Sequence, residues 1–128
     1  YIGHSTFSRS GIYSGVIDLP ATLTYLGAYA FYSCTQLTKV IFRGQAPDIL
    51  ASTFKSSNNI TLYDFRNCTT VPTLASTNGI GYGAGCQIVI PDALYDEWTT
   101  TTNWSALVTD NTQSAYVVWV KASEYVEV

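Results

Sequence analysis

Apolar positions along this chain return at a near-constant step. Ile2-Gly3 and Phe7 recur as Leu26-Gly27 and Phe31, and Phe31 is followed by Phe54. The steps are 24 and then 23 residues, with Ile49 standing where Leu26 stood. Leu37-Thr38 returns as Ile60-Thr61, and Phe42-Arg43-Gly44 as Phe65-Arg66-Asn67, both 23 positions on. A period of this size predicts stacked coils, because one coil cannot bury its own apolar face and leans on the next. The clearest unit is Leu23–Gly44. Within it, Leu37, Val40 and Phe42 fit a short strand with its apolar side turned inward. Lys39, Ile41 and Arg43 then point outward, since side chains alternate along a strand. Leu23, Leu26, Ala30 and Phe31 fill the opposite side of the coil, and Gly27 sits where the backbone turns.

The same pattern organises the rest of the chain. Val16-Ile17-Asp18-Leu19 reads as a strand stopped by Pro20. Residues 45–67 form a third coil that closes on Tyr63-Asp64-Phe65-Arg66. Residues 68–86 are looser, with Gly79, Gly81, Gly83 and Gly85 alternating. A phosphate-binding loop needs strand, loop and helix in that order. This series precedes a strand and opens no helix, so it reads as a flexible solvent loop. Gln87-Ile88-Val89-Ile90-Pro91 reads as the last strand of the stack. Asp92 is then a plausible N-cap for a helix that puts Leu94 and Trp98 on one face. We expect 1–91 to be the solenoid and 92–128 its cap, with a helix over about 92–107 and strands over about 115–128. Trp98 and Trp104 would cover the final coil. The β-rich runs Ala115–Val120 and Tyr125–Val128 can form a hairpin or a strand that pairs outside the solenoid. The second option makes the C-terminal strand a route to self-association.

Leu19-Pro20, Leu23-Thr24, Leu26-Gly27, Ala30-Phe31, Cys34, Leu37-Thr38 and Val40 together resemble the BspA-type leucine-rich repeat. The resemblance extends over roughly residues 1–66 and more loosely over 67–91. The third copy departs from it, with Leu50, Thr53 and Ser57 in place of the glycine, alanine and cysteine. The fold it implies is mainly β: a short leucine-rich-repeat solenoid of parallel strands with a C-terminal capping helix and room for a terminal strand pair. Members of that family are commonly surface proteins of host-associated bacteria and some protists. The resemblance therefore implies an extracellular, cell-surface adhesion module that binds a host or bacterial surface protein or glycan. The segment after the repeats also resembles C-terminal ends in proteins of gut bacteria and their phages. That keeps an alternative open: the terminal recognition or structural module of a phage tail-like protein.

Composition narrows the partners. Charged residues make up only 12 % of the chain, its net charge is −3, and Tyr alone occurs 10 times. With no basic cluster, nucleic-acid binding has no electrostatic footprint. No apolar run approaches the length of a membrane span. The chain has no Met and opens in mid-repeat, which predicts further coils upstream of Tyr1. Of three cysteines, Cys34 belongs to the repeat, while Cys68 and Cys86 can either pair in an oxidising compartment or stay as buried thiols.

Candidate chemistry is sparse. A triad needs a base, and the one histidine, His4, occupies a variable repeat position. The cysteines lack the spacing of a metal set, so no cofactor is expected. Asp92, Asp96 and Glu97 could suggest a glycosidase carboxylate pair, but at a helix start they fit dipole-matching charges better. The sequons at Asn59, Asn67 and Asn103 are expected by chance in so Asn- and Thr-rich a chain. We expect binding without catalysis. The outward strand positions that would stack into one face are Ile17, then Lys39, Ile41 and Arg43, then Leu62, Asp64 and Arg66. Arg43 and Arg66 would stand about 5 Å apart and could receive carboxylates or a sugar acid beside nearby tyrosines. The plainer reading is a solvated stripe in which Arg66 pairs with Asp64 or Asp48.

Overall fold

The computed structural model describes residues 2–3 and 15–126. Phe7, His4 and the last two positions of the expected strand Tyr125–Val128 lie outside the described residues. Among the described residues five short strands carry the architecture: β1 Val16–Leu19, β2 Lys39–Phe42, β3 Leu62–Asp64, β4 Cys86–Ile90 and β5 Val117–Lys121. They form one sheet in chain order, every neighbouring pair parallel. Each coil adds one strand, so the sheet is the seam of a short solenoid.

The period works because it brings like residues into register. Lys39 lies beside Leu62, 23 positions on, and Val40 beside Tyr63. Phe31 stacks on Phe54 with ring centroids 5.2 Å apart, and Phe42 on Phe65 at 4.9 Å, the rings of both pairs nearly parallel. Aromatic pairs at this spacing add about 0.5–1.5 kcal/mol beyond the area they bury. Away from the sheet, Leu26 bridges Ile2, and Ile49 bridges Leu74, so the coils also touch on their far side. Between these contacts the chain turns through left-handed residues at repeat spacing, Tyr29 and Ser33 in one coil, Ser52 and Ser56 in the next.

The third copy's departures are polar links between coils. The buried Ser57 hydroxyl donates to the Phe31 carbonyl at 2.7 Å and accepts the Cys34 N–H at 2.8 Å. Thr53 donates to the Leu50 carbonyl at 2.8 Å and reaches the Gly27 carbonyl at 3.4 Å. Each such bond contributes about 0.5–1.5 kcal/mol net.

Several expectations need correction. Ile17 pairs with the buried Val40, so it belongs to the core-facing row and is partly buried against the core. The glycine series is not a solvent loop. Gly79 and Gly81 are buried, and a Cβ on Gly81 would stand 2.5 Å from the Phe54 carbonyl oxygen. The fourth coil lies so close to the third here that only glycine fits. Tyr63 seals the contact, its hydroxyl donating to the Gly81 carbonyl at 2.7 Å and accepting the Gly81 N–H at 3.2 Å.

Gln87–Pro91 is not the last strand, because β5 continues the sheet beyond it. The helical segment lies within the coil that joins β4 to β5. It consists of a 3-10 turn Asp92–Leu94, the six-residue α1 Tyr95–Thr100 and a 3-10 turn Trp104–Ala106. This coil is longer than its neighbours, and two large side chains fill it. Trp98 and Trp104 are fully buried and pack on Phe65 at 5.1 and 5.6 Å. Trp104 donates its indole N–H to the Pro72 carbonyl at 2.8 Å. Beyond them Trp119 of β5 meets Trp104 at 6.3 Å. β5 pairs in the solenoid sheet itself, and Tyr125 and Val126 are not part of a strand. Cys34, Cys68 and Cys86 are buried thiols, none of them in a disulfide. Cys68 accepts the Ala46 N–H at 3.4 Å instead of bonding Cys86.

Candidate functional site: the outer face of the sheet

Strand register assigns the outward positions. Val16, Lys39, Leu62, Gln87 and Val118 form one row, and Asp18, Ile41, Asp64, Val89 and Val120 the next. Arg43 and Arg66 follow just past β2 and β3. Lys39 and Arg43 are exposed and Ile41 is half-buried. Leu62 and Asp64 hold their expected outward register yet are only 5 % and 4 % exposed. Val89 is buried as well, and neither it nor Leu62 belongs to the continuous apolar core. They are covered from outside.

The cover includes the chain's own C-terminal return. After β5 a 3-10 turn, Ala122–Glu124, brings Tyr125 back to this face. The Arg66 guanidinium lies 5.1 Å from the centroid of the Tyr125 ring. Asp92 holds the return in place. Its carboxylate accepts the Ser123 N–H at 3.0 Å and a short bond from the Ser123 hydroxyl. Asp92 therefore does not cap a helix; the residue before the 3-10 turn is Pro91. The Ser123 bonds, side chain first and then backbone, hold the Asp92 carboxyl below its ordinary range.

The two arginines do not form a joint receptor. Arg43 makes a two-pronged contact with Asp18, Nε to Oδ1 at 2.6 Å and a terminal nitrogen to Oδ2 at 2.7 Å. That hydrogen bond, together with the charge, lowers the Asp18 carboxyl and raises the Arg43 guanidinium. Arg66 grips Asp64 through Nε at 2.9–3.0 Å and a terminal nitrogen at 2.7 Å, while its backbone N–H adds a bond at 3.1 Å. Asp48 is not its partner; it accepts the Thr73 N–H at 2.9 Å. Both guanidiniums are thus held by carboxylates on the same face. The pair with Asp64 is the better shielded, since both its side chains are less exposed than those of Arg43 and Asp18, so removing Arg66 would cost more than removing Arg43.

Lys39 is left as the cation without an ion-pair partner among the described residues of this face. It lines a groove of about 260 Å³ with Thr61, Leu62, Gly85, Gln87 and Tyr125. Gln87 and Tyr125 were not singled out by sequence reasoning. Alternation along Cys86–Ile90 could have given Gln87, the one polar side chain of that strand. Nothing in the period points to Tyr125 or to the Asp92–Ser123 clasp, whose partners lie 31 residues apart.

Among the described residues no three His, Cys, Asp or Glu side chains converge as a metal set. No helix among them is long and apolar enough to cross a membrane. The BspA type leucine rich repeat region matches residues 1–79 in six copies. The chain belongs to this family. Nothing among the curated proteins or the solved structures matches it. BspA-type repeats occur in surface-associated bacterial proteins, where they serve as repeat modules. In this chain the match ends before β4, so the groove combines repeat residues Lys39, Thr61 and Leu62 with residues beyond the match.

Proposed function

We propose that this chain is a non-catalytic interaction module of a surface-exposed, secreted bacterial protein, with the outer face of the sheet as its contact side. Lys39, Ile41, Arg43, Leu62, Asp64 and Arg66 form the repeat part of that face, and a host or bacterial surface protein or glycan is its partner. In this reading 1–91 carries most of the contact rows, and 92–128 adds Val118 and Val120 of β5 while closing the end of the stack. The exposed Val118 on β5 adds a place where a second copy could pair.

One observation carries the reading. The inward rows keep one chemistry from coil to coil: Val40, Tyr63 and Ile88, then Phe42, Phe65 and Ile90. The outward row changes at every step, from Val16 to Lys39, Leu62, Gln87 and Val118. Packing fixes the first set, whereas a rigid scaffold leaves the second free to be shaped by a partner. Asp18 is tied to the Arg43 guanidinium, whose hydrogen bond holds its carboxyl below the ordinary range and so favours the ionised form over a proton donor.

The test is an array of glycans and host surface proteins probed with the full chain. A bound partner should lose about tenfold or more in affinity with Ile41→Glu and keep it with Lys55→Glu on the turn side of the coils. Sensitivity at Lys55 with none at Ile41 would place the contact elsewhere.

A further inference from the structure

We propose that the groove between β2, β4 and the C-terminal return binds a single carboxylated sugar residue of the uronic-acid class, its carboxylate on Lys39. The inference rests on the outer face being the contact side and specifies what one part of it takes.

The chemistry of the lining selects the ligand. Lys39 is a compact charge with three donors, and no carboxylate belongs to the groove lining. The Gln87 amide can both donate and accept. Thr61 already directs its hydroxyl toward the Thr38 carbonyl at 3.3 Å, which leaves its oxygen as an acceptor. One cation among neutral groups that both give and take hydrogen bonds suits a molecule with one carboxylate and several hydroxyls. The Tyr125 ring, lying over the nearly buried Leu62, supplies the apolar surface that the C–H face of a sugar ring needs.

Size and preorganisation agree. At about 260 Å³ the groove is smaller than a typical drug-sized site of roughly 300–1,000 Å³, which leaves room for one ring. Arg66 under the Tyr125 ring and the Asp92–Ser123 clasp hold the wall of the groove before any ligand arrives, so less ordering opposes binding. An acidic peptide fits less well. It would need a series of cations, but Arg43 and Arg66 are already paired, and Asp18 and Asp64 stand on the same face. A neutral sugar would leave the Lys39 charge unused.

The experiment is a titration of the ¹⁵N-labelled full chain with methyl β-D-glucuronide, methyl β-D-glucoside and a tetra-aspartate peptide. The proposal expects saturable amide shifts at Gly85, Gln87 and Tyr125 with the glucuronide. The glucoside should bind about tenfold more weakly or worse. Lys39→Gln should weaken the glucuronide by a similar factor while thermal melting stays in place; Tyr125→Ala should weaken it too and lower the melting temperature, because that ring also packs on Arg66. The proposal falls if those amides do not move saturably, if the glucoside binds as well, if Lys39→Gln binds as tightly, or if the peptide binds more tightly. Failure here is separable from failure of the face reading, because Ile41 lies outside the groove lining. A partner lost with Ile41→Glu but no glucuronide binding leaves the face and removes the sugar site. Glucuronide binding with a partner indifferent to Ile41→Glu does the reverse.

Discussion

Gly81→Ala separates a packed coil from a mobile glycine loop. The new Cβ would lie 2.5 Å from the Phe54 carbonyl oxygen, 2.8 Å from the Ser57 carbonyl oxygen and 3.0 Å from the Ser57 nitrogen. All three are backbone atoms of the neighbouring coil and cannot rotate away. Relief requires the fourth coil to withdraw by several tenths of an ångström, with an overpacking penalty of about 1–3 kcal/mol. The same withdrawal pulls Gly81 from the Tyr63 hydroxyl, a fully buried group bonded to both its N–H and its carbonyl. Leaving that hydroxyl bare adds about 1–3 kcal/mol. Against this, alanine restricts the unfolded chain and returns about 0.4–1 kcal/mol. The expected net loss is about 1–5 kcal/mol, read as a lower urea midpoint by tryptophan fluorescence. Gly83→Ala is the internal comparison. Its Cβ would meet one backbone oxygen at 3.0 Å, so a smaller loss is expected. If Gly81→Ala is neutral, or stabilises as an unhindered glycine replacement does, the close coil contact is refuted.

Two further outcomes follow from named groups. Burial pushes the Cys86 thiol up to about 12 and raises Cys68 as well. Iodoacetamide at neutral pH should therefore leave the folded chain unmodified and add three alkyl groups in non-reducing denaturant; a single addition there would reveal a Cys68–Cys86 disulfide. The Asp92–Ser123 clasp should be sensitive to acid. Because the folded Asp92 value lies below the ordinary 3.8, its stabilisation is present above that value and is lost as pH falls through the lowered one. The protection of the Ser123 amide, measured against its intrinsic exchange rate at each pH, should be high at neutral pH, fall at the acid end, and lose that transition in Asp92→Asn. An acid profile unchanged by the substitution would dismiss the clasp.

The regular part of the chain was legible because its spacing is regular. A 23-residue step was enough to pair Phe31 with Phe54 and Phe42 with Phe65, and alternation was enough to turn Lys39, Ile41 and Arg43 outward. The slip at Ile17 came from leaving that step: 23 positions before Lys39 lies Val16, its observed partner. Beyond residue 67 the coils lengthen. Gln87 and Val118 are neighbours in the sheet although 31 positions separate them, so β5 read as a separate element. The glycines pointed toward flexibility because composition alone does not say what lies above them; the Phe54–Ser57 backbone does. Arg43 looked free because Asp18, its partner, belongs to the previous coil. Leu62 and Asp64 looked exposed because no local pattern says that the end of the chain folds back over β3.

The most direct measurement of the stacked-coil account is a carbon-edited NOESY spectrum of the folded chain. It should show ring-to-ring contacts between Phe31 and Phe54 and between Phe42 and Phe65, and side-chain contacts between Gln87 and Val118 across β4 and β5. Ring protons of these phenylalanines in separate environments, with no cross-peaks within either pair, would contradict the account.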